Sequence, residues 1–170
     1  VKNMEQKNGV WNIEVMDTIS NETKYVQAKV VVNATGPWVD HFLKNRTKQT
    51  KVDNVRLVKG SHIVVKKLFN HSYAYILQNS DSRVFFVVPW ENEFTFIGTT
   101  DVDFKDNLDS FSASDDEINY LCKSANQYFM SGISSYDVIK HWSGVRPLYQ
   151  DGSIKAQKAS RDYTIRIDSQ

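Results

Sequence analysis

Between Val55 and Asp101 the chain is built almost wholly from short runs of β-branched and aromatic residues separated by turn formers. Little but a strand meander can be made from such a pattern. Strands are expected at Val55–Val65, Ala74–Gln78, Arg83–Val88 and Phe94–Thr99, with Glu91-Asn92-Glu93 turning the last hairpin. The connections are too short for crossover helices, so the pairing should be antiparallel.

The flanking segments carry fewer signals. Val10–Met16 alternates apolar and polar residues and reads as a strand, followed by the turn residues Ser20-Asn21-Glu22. Tyr25–Asn33 reads as another strand, and its Val30-Val31-Val32 suits burial on both faces. Gly36-Pro37 then opens a helix with Val39, Phe42 and Leu43 as its apolar stripe.

A better-signed helix begins at Ser114-Asp115-Asp116-Glu117, a capping box with acids where the helix dipole favours them. Ile118, Leu121, Cys122, Ala125 and Phe129 recur at helical spacing, and Ser131-Gly132 ends the run. Val138–Leu148 and Tyr163–Asp168 read as closing strands. Strands outnumber helices and hairpins outnumber crossovers, so the expected class is α+β: a largely antiparallel mixed β-sheet with flanking helices.

Charge and cysteine content narrow the function classes. Among 170 residues, 21 basic and 20 acidic side chains leave a net charge of +1, with no basic patch to attract nucleic acid. Cys122 is the only cysteine, so no intrachain disulfide can form and a reducing compartment is expected. Apolar runs such as Val84–Trp90 fall far short of the roughly 20 residues that span a bilayer. The sequence shows no metal-ligand cluster, phosphate loop, Ser-His-Asp motif or Gly-x-Gly-x-x-Gly. Its start at Val1 and end at Gln170, each beside a strand, read as cuts through a longer protein.

Strand parity supplies the first chemical clue. His62 shares a face with Val58, Gly60 and Val64, and Trp142, Gly144 and Arg146 share another. Each polar group stands two residues after a glycine, and a ligand could fill the gap each glycine leaves. The plainer readings are a hydrogen-bonded structural histidine, an arginine paired with a carboxylate, and glycines marking bulges. Arg161 has the parity of Tyr163, Ile165 and Ile167, with Asp162 as a candidate ion-pair partner. If Arg146 and Arg161 converge, their guanidinium forks suit a phosphate or carboxylate.

Two small-residue turns are further candidates. Ala34-Thr35-Gly36 could let a cofactor approach the backbone, and Gly98-Thr99-Thr100-Asp101 could line a site or merely cap a turn. Cys122 reads as packing, and Trp90, Phe94 and Phe96 as core or hairpin pairs.

Five stretches, in order, resemble the aerobic, FAD-dependent glycerol-3-phosphate dehydrogenases. They are Val31–Trp38 (VVNATGPW), Val55–His62 (VRLVKGSH), Phe96–Asp101 (FIGTTD), Ser143–Leu148 (SGVRPL) and Ser160–Tyr163 (SRDY). The resemblance implies oxidation of sn-glycerol 3-phosphate to dihydroxyacetone phosphate, with electrons passing through FAD to membrane quinone. It makes His62 the histidine beside the reacting carbon and the plausible base, Arg146 the arginine near the substrate's oxygens, and Arg161 a second arginine in the phosphate region. Ala34, Thr35 and Gly36 match the segment that approaches the flavin.

That family's glycine-rich FAD loop, a lysine-bearing segment further on and a carboxy-terminal helical domain have no counterpart in this sequence. The resemblance therefore implies an internal piece, with residues 1–53 a remnant of the FAD-binding domain and residues 54–170 the substrate-binding sheet domain. Such a piece is expected to fold but to bind no FAD and turn nothing over. The complete enzyme is expected in the cytoplasm or peripherally on the cytoplasmic face of the inner membrane, attached through parts outside this sequence. Two alternatives stay open: a piece of a related FAD-dependent amino-acid oxidase of the glycine or sarcosine type, and a non-catalytic binding module.

Overall fold

The computed structural model describes residues 1–47 and 52–165. Contacts cluster into two units, Val1–Val55 and Arg56–Gln170.

The first unit opens with a three-stranded antiparallel sheet of β1 (Asn3–Lys7), β2 (Val10–Met16) and β3 (Thr23–Ala28). Asn8 and Gly9 join β1 to β2 with φ of 51° and 76°, the left-handed pair that a tight two-residue hairpin requires. This first hairpin is absent from the strand expectations above, although Asn-Gly is its standard signal. A second departure concerns β3. The strand ends at Ala28, and Val30 and Val32 are 75% and 81% exposed rather than buried on both faces. A 3-10 turn at Gly36–Trp38 then leads into helix α1 (Val39–Arg46), where Pro37 sits at the start as expected. The Asp40 carboxylate accepts from the Asn54 and Val55 amides at 2.9 and 3.2 Å and ties α1 to the chain entering the next strand.

The second unit is a six-stranded sheet. Its strands are β4 (Val55–Lys66), β5 (Tyr75–Gln78), β6 (Val84–Trp90), β7 (Phe94–Gly98), β8 (Val102–Asp103) and β9 (Lys140–Tyr149). The path runs β5-β6-β7-β4-β8, with β9 also paired to β4. The described registers are all antiparallel, so the fold class is α+β as expected. Glu91 and Asn92, at φ 47° and 62°, turn the β6–β7 hairpin where Trp90 faces Phe94.

Helix α2 (Asp115–Asn126) covers one face of this sheet. Its capping box is complete, with Ser114 Oγ accepting from the Glu117 amide and the Glu117 carboxylate from the Ser114 amide. Ile118, Leu121, Cys122 and Ala125 pack against Ile63, Val65, Phe85, Val87 and Ile97, the odd-parity residues of β4, β6 and β7. Phe129 joins this core from beyond the helix, which stops at Asn126. The expected strand at Tyr163–Asp168 does not form over residues 163–165, and the rest of it lies outside the described residues.

Candidate functional site

The sheet face opposite α2 carries His62, Phe96, Trp142 and Arg146. β4 places His62 there and β7 places Gly98 directly across from it. The imidazole lies over Gly98, where any Cβ would collide with its ring. Phe96 stacks on the imidazole at 4.7 Å between centroids, and Trp142 from β9 stacks at 6.0 Å. Val88, Trp90, Phe96 and Trp142, with Pro89, also line an open cleft of about 260 Å³ beside it. Nδ1 of His62 is buried with no hydrogen-bond partner. Burial, and then the nearby Arg146 charge, push His62 below the ordinary 6.5, so the imidazole is neutral at pH 7.

Arg146, on β9, reaches the same face two residues along β4. Its guanidinium fills the space above Gly60, so that gap belongs to a side chain of the protein and not to a ligand. At Gly144 the corresponding space is open, with no atom within 4 Å of where a Cβ would stand. Arg146 donates to Thr99 Oγ1 at 2.9 Å and to Asp101 Oδ1 at 3.1 Å. Arg161 donates to both oxygens of Asp101, at 3.3 and 3.4 Å. Its carboxylate partner is thus Asp101 rather than the neighbouring Asp162. One carboxylate, only 11% exposed, draws the two guanidiniums together.

A β-bulge makes this grip possible. His62 pairs with Gly98 and Lys59 with Val102, so two residues of β4 face three residues, Thr99 to Asp101, across the ladder. The extra residue lets Thr99 and Asp101 both turn toward Arg146 while Thr100 turns to the other side. Of Gly98–Asp101, Thr99 and Asp101 thus reach Arg146, and Thr100 closes a gap in the ladder: Ser61 N–H donates to Thr100 Oγ1 at 2.9 Å in place of a carbonyl.

Behind the bulge lies Glu117, 5% exposed, which none of the sequence clues above assigned beyond its cap. Its carboxylate accepts from Thr100 Oγ1 at 2.7 Å, Ser61 Oγ at 2.8 Å and Ser114 Oγ at 3.1 Å, and pairs with Lys59 Nζ at 2.8 Å. Burial works against its charge, but these donors outweigh it and hold Glu117 down at about 2. With its proton given to Glu117, Ser61 Oγ accepts from Ser143 Oγ at 2.7 Å, which joins β9 to the same network.

A second brace supports Arg161. Asp151 accepts from the Ser153 and Ser160 amides at 2.9 and 2.8 Å and closes the loop that carries Arg161, while Arg56 donates to Asp103 at 2.6 and 2.7 Å and to the Ser153 carbonyl.

Ala34, Thr35 and Gly36 belong to the first unit. Asn33 Oδ1 accepts from Thr35 N at 3.3 Å and Thr35 Oγ1 at 2.7 Å. Gly36 has φ +55° with nothing within 4 Å of a would-be Cβ, so the backbone there is both left-handed and unobstructed.

Comparison with known proteins agrees across the chain. Residues 1–164 match the family model described as FAD dependent oxidoreductase. The chain is 43% identical over 162 residues to the aerobic glycerol-3-phosphate dehydrogenase of Escherichia coli (strain K12), covering 95% of this chain and 32% of that protein. It is 39% identical over 163 residues to the D-erythritol 1-phosphate dehydrogenase of Brucella abortus (strain 2308), covering 96% of this chain and again 32% of that protein. The crystal structure of the glycerol-3-phosphate dehydrogenase from Bacillus halodurans complexed with FAD superposes with a TM-score of 0.74 at 33% identity, over 90% of this chain and 31% of that one. The chain thus spans about a third of the length of these relatives. On the match over nearly its whole length, the chain belongs to the FAD dependent oxidoreductase family.

Proposed function

We propose that this chain supplies the substrate-binding face of a flavoprotein that oxidises sn-glycerol 3-phosphate to dihydroxyacetone phosphate. The observation that carries the reading is the placing of a neutral imidazole and a guanidinium side by side on one sheet face, with a second guanidinium drawn to the first by Asp101.

In this reading Arg146 and Arg161 take the anionic end and an oxygen of the substrate, because two forks of donors can satisfy a phosphate where one would suffice for a carboxylate. His62 removes the proton of the hydroxyl on carbon 2. Nδ1 is buried, so the reachable nitrogen is Nε2. The stacked rings of Phe96 and Trp142 hold the imidazole in one orientation and keep water from that side. FAD, when bound, would supply the acceptor for the hydride leaving the same carbon. Of the residues here, Ala34-Thr35-Gly36 fit close backbone approach by a flat group and would hold part of the FAD. The sequence has no glycine-rich pyrophosphate cradle, so the 170-residue chain purified alone should show no flavin absorbance and no dye-coupled oxidation. Electron transfer to quinone and a peripheral place on the cytoplasmic face of the inner membrane are part of the same proposal; no helix among the described residues is long and apolar enough to cross a membrane.

The Brucella abortus relative favours a second reading with the same chemistry, a four-carbon polyol phosphate. Dye-coupled assays of the complete flavoprotein with sn-glycerol 3-phosphate, D-erythritol 1-phosphate, glycine and sarcosine separate the cases. Turnover of an amino acid but of neither phosphate would overturn the proposal.

A further inference from the structure

We propose that Glu117 is a positioning residue for the Arg146–Arg161 pair, acting through Thr100 and the bulge that Thr100 anchors. The identity of the anion these arginines take rests on the function proposed above; the brace itself does not.

A bulge is the least constrained part of a ladder, since its extra residue has no partner opposite. Here the bulge must nonetheless keep two acceptors, Thr99 Oγ1 and Asp101 Oδ1, at 2.9 and 3.1 Å from one guanidinium. The residue between them is Thr100, 1% exposed. Its hydroxyl takes the Ser61 amide on one side and donates to Glu117 Oε1 on the other, so it spans from β4 to α2. Wherever Thr100 is held, Thr99 and Asp101 follow on either side of it.

Glu117 is well placed to do the holding. It sits in the first turn of α2, with one carboxylate oxygen on the cap residue Ser114 and on Lys59, and the other on Thr100 and Ser61. Lys59 precedes Gly60, the residue beneath the Arg146 guanidinium, and pairs with Val102 just past the bulge. Every neighbour of the carboxylate is a donor, which only an ionised, acceptor-only group can satisfy in full. The protonation balance agrees, since Glu117 stays charged down to about 2. Glu117 and Thr100 hydrogen-bond to each other and to Ser61, Ser114 and Lys59 rather than to either arginine. Their action is on the spacing of Thr99 and Asp101, which do bond to Arg146.

The test is nitrogen-15 NMR of the arginine Nε–Hε groups in the 170-residue chain. Thr100→Val removes the hydroxyl at constant shape, and Glu117→Gln removes the charge. In both, the Arg146 and Arg161 signals should move toward those of free arginine and exchange faster with water. Thr100→Ser, which keeps the hydroxyl, should leave them in place. Val87→Ala, a core truncation on β6, should lower stability without moving them. Arginine signals unchanged in Thr100→Val and Glu117→Gln, or moved as far by Val87→Ala, would overturn the proposal. If Thr100→Val does not fold, Glu117→Gln decides. Titration of the same samples with inorganic phosphate should show half-saturation raised about tenfold in Thr100→Val, the effect of one spoiled charge-assisted hydrogen bond. Glycerol 3-phosphate titration of the unsubstituted chain tests the functional reading by itself, so either idea can fail alone.

Discussion

His62 and Arg146 are neighbours on one face, and burial together with the guanidinium charge disfavours protonation of the imidazole. As pH falls below 6.5, the unfolded chain takes up a proton at His62 that the folded chain resists, because its folded value lies lower. Stability should therefore fall with pH below 6.5 on this group's account and gain nothing from it above. For the complete enzyme, kcat/KM for glycerol 3-phosphate should be flat from neutrality upward and decline on the acid side, at a pH below that of free histidine. An acid limb at or above pH 7 in the pH-rate profile would remove His62 as the base. Arg146→Ala should raise KM about ten- to a hundredfold, the range for a lost hydrogen bond to a charged group; an unchanged KM would take Arg146 out of the site. The two glycines beneath these residues make a sharper pair. Gly60→Ala pushes on the Arg146 guanidinium and the Thr99 hydroxyl that holds it, and should keep the fold while weakening substrate capture, whereas Gly98→Ala pushes on an imidazole already packed against Phe96 and Trp142 and should cost activity and stability together. Strand parity made the shared face of His62 and Gly60 legible in sequence. What filled the glycine gaps was not, since a missing side chain records that something lies close without recording whether it is a ligand or the protein's own guanidinium.

The elements were legible wherever local chemistry alone decides them. The Ser114-to-Glu117 capping box and the meander from β4 to β7 announce themselves in a few adjacent residues. Ser114→Ala should cost about 1 kcal/mol as a lost cap, measurable by urea unfolding. Glu117→Ala should cost more, about 3 kcal/mol, because it leaves the buried Thr100 and Ser61 hydroxyls without their acceptor and removes the partner of the half-buried Lys59 ammonium. A loss no larger than that of Ser114→Ala would mean the carboxylate acts only as a cap. The bulge between β7 and β8 could not be read in advance, because it depends on how many residues of another strand lie opposite, and Gly98-Thr99-Thr100-Asp101 gives no such count. Nor could the fates of Val30–Val32 and Tyr163: an apolar run suits burial, but burial needs a neighbour, and no strand pairing is described for either.

At the level of the whole chain, apolar burial is unevenly divided. The first unit buries only Met4 and Val52 among its described hydrophobic residues, while Ile63, Val65, Phe85, Val87, Ile97 and Leu121 are all fully enclosed in the second. Hydrogen exchange should therefore be slowest in β4, β6 and β7 and faster by orders of magnitude in β1 to β3; equal protection in both sheets would contradict this. The second sheet is itself lopsided, dry under α2 and bare on the side that carries Phe86, Trp90 and Trp142. A surface of that kind attracts its own likeness, so shelf life in solution should depend on concentration well below the melting temperature. Replacing Phe86 with lysine would then make the protein keep longer without making it any harder to melt.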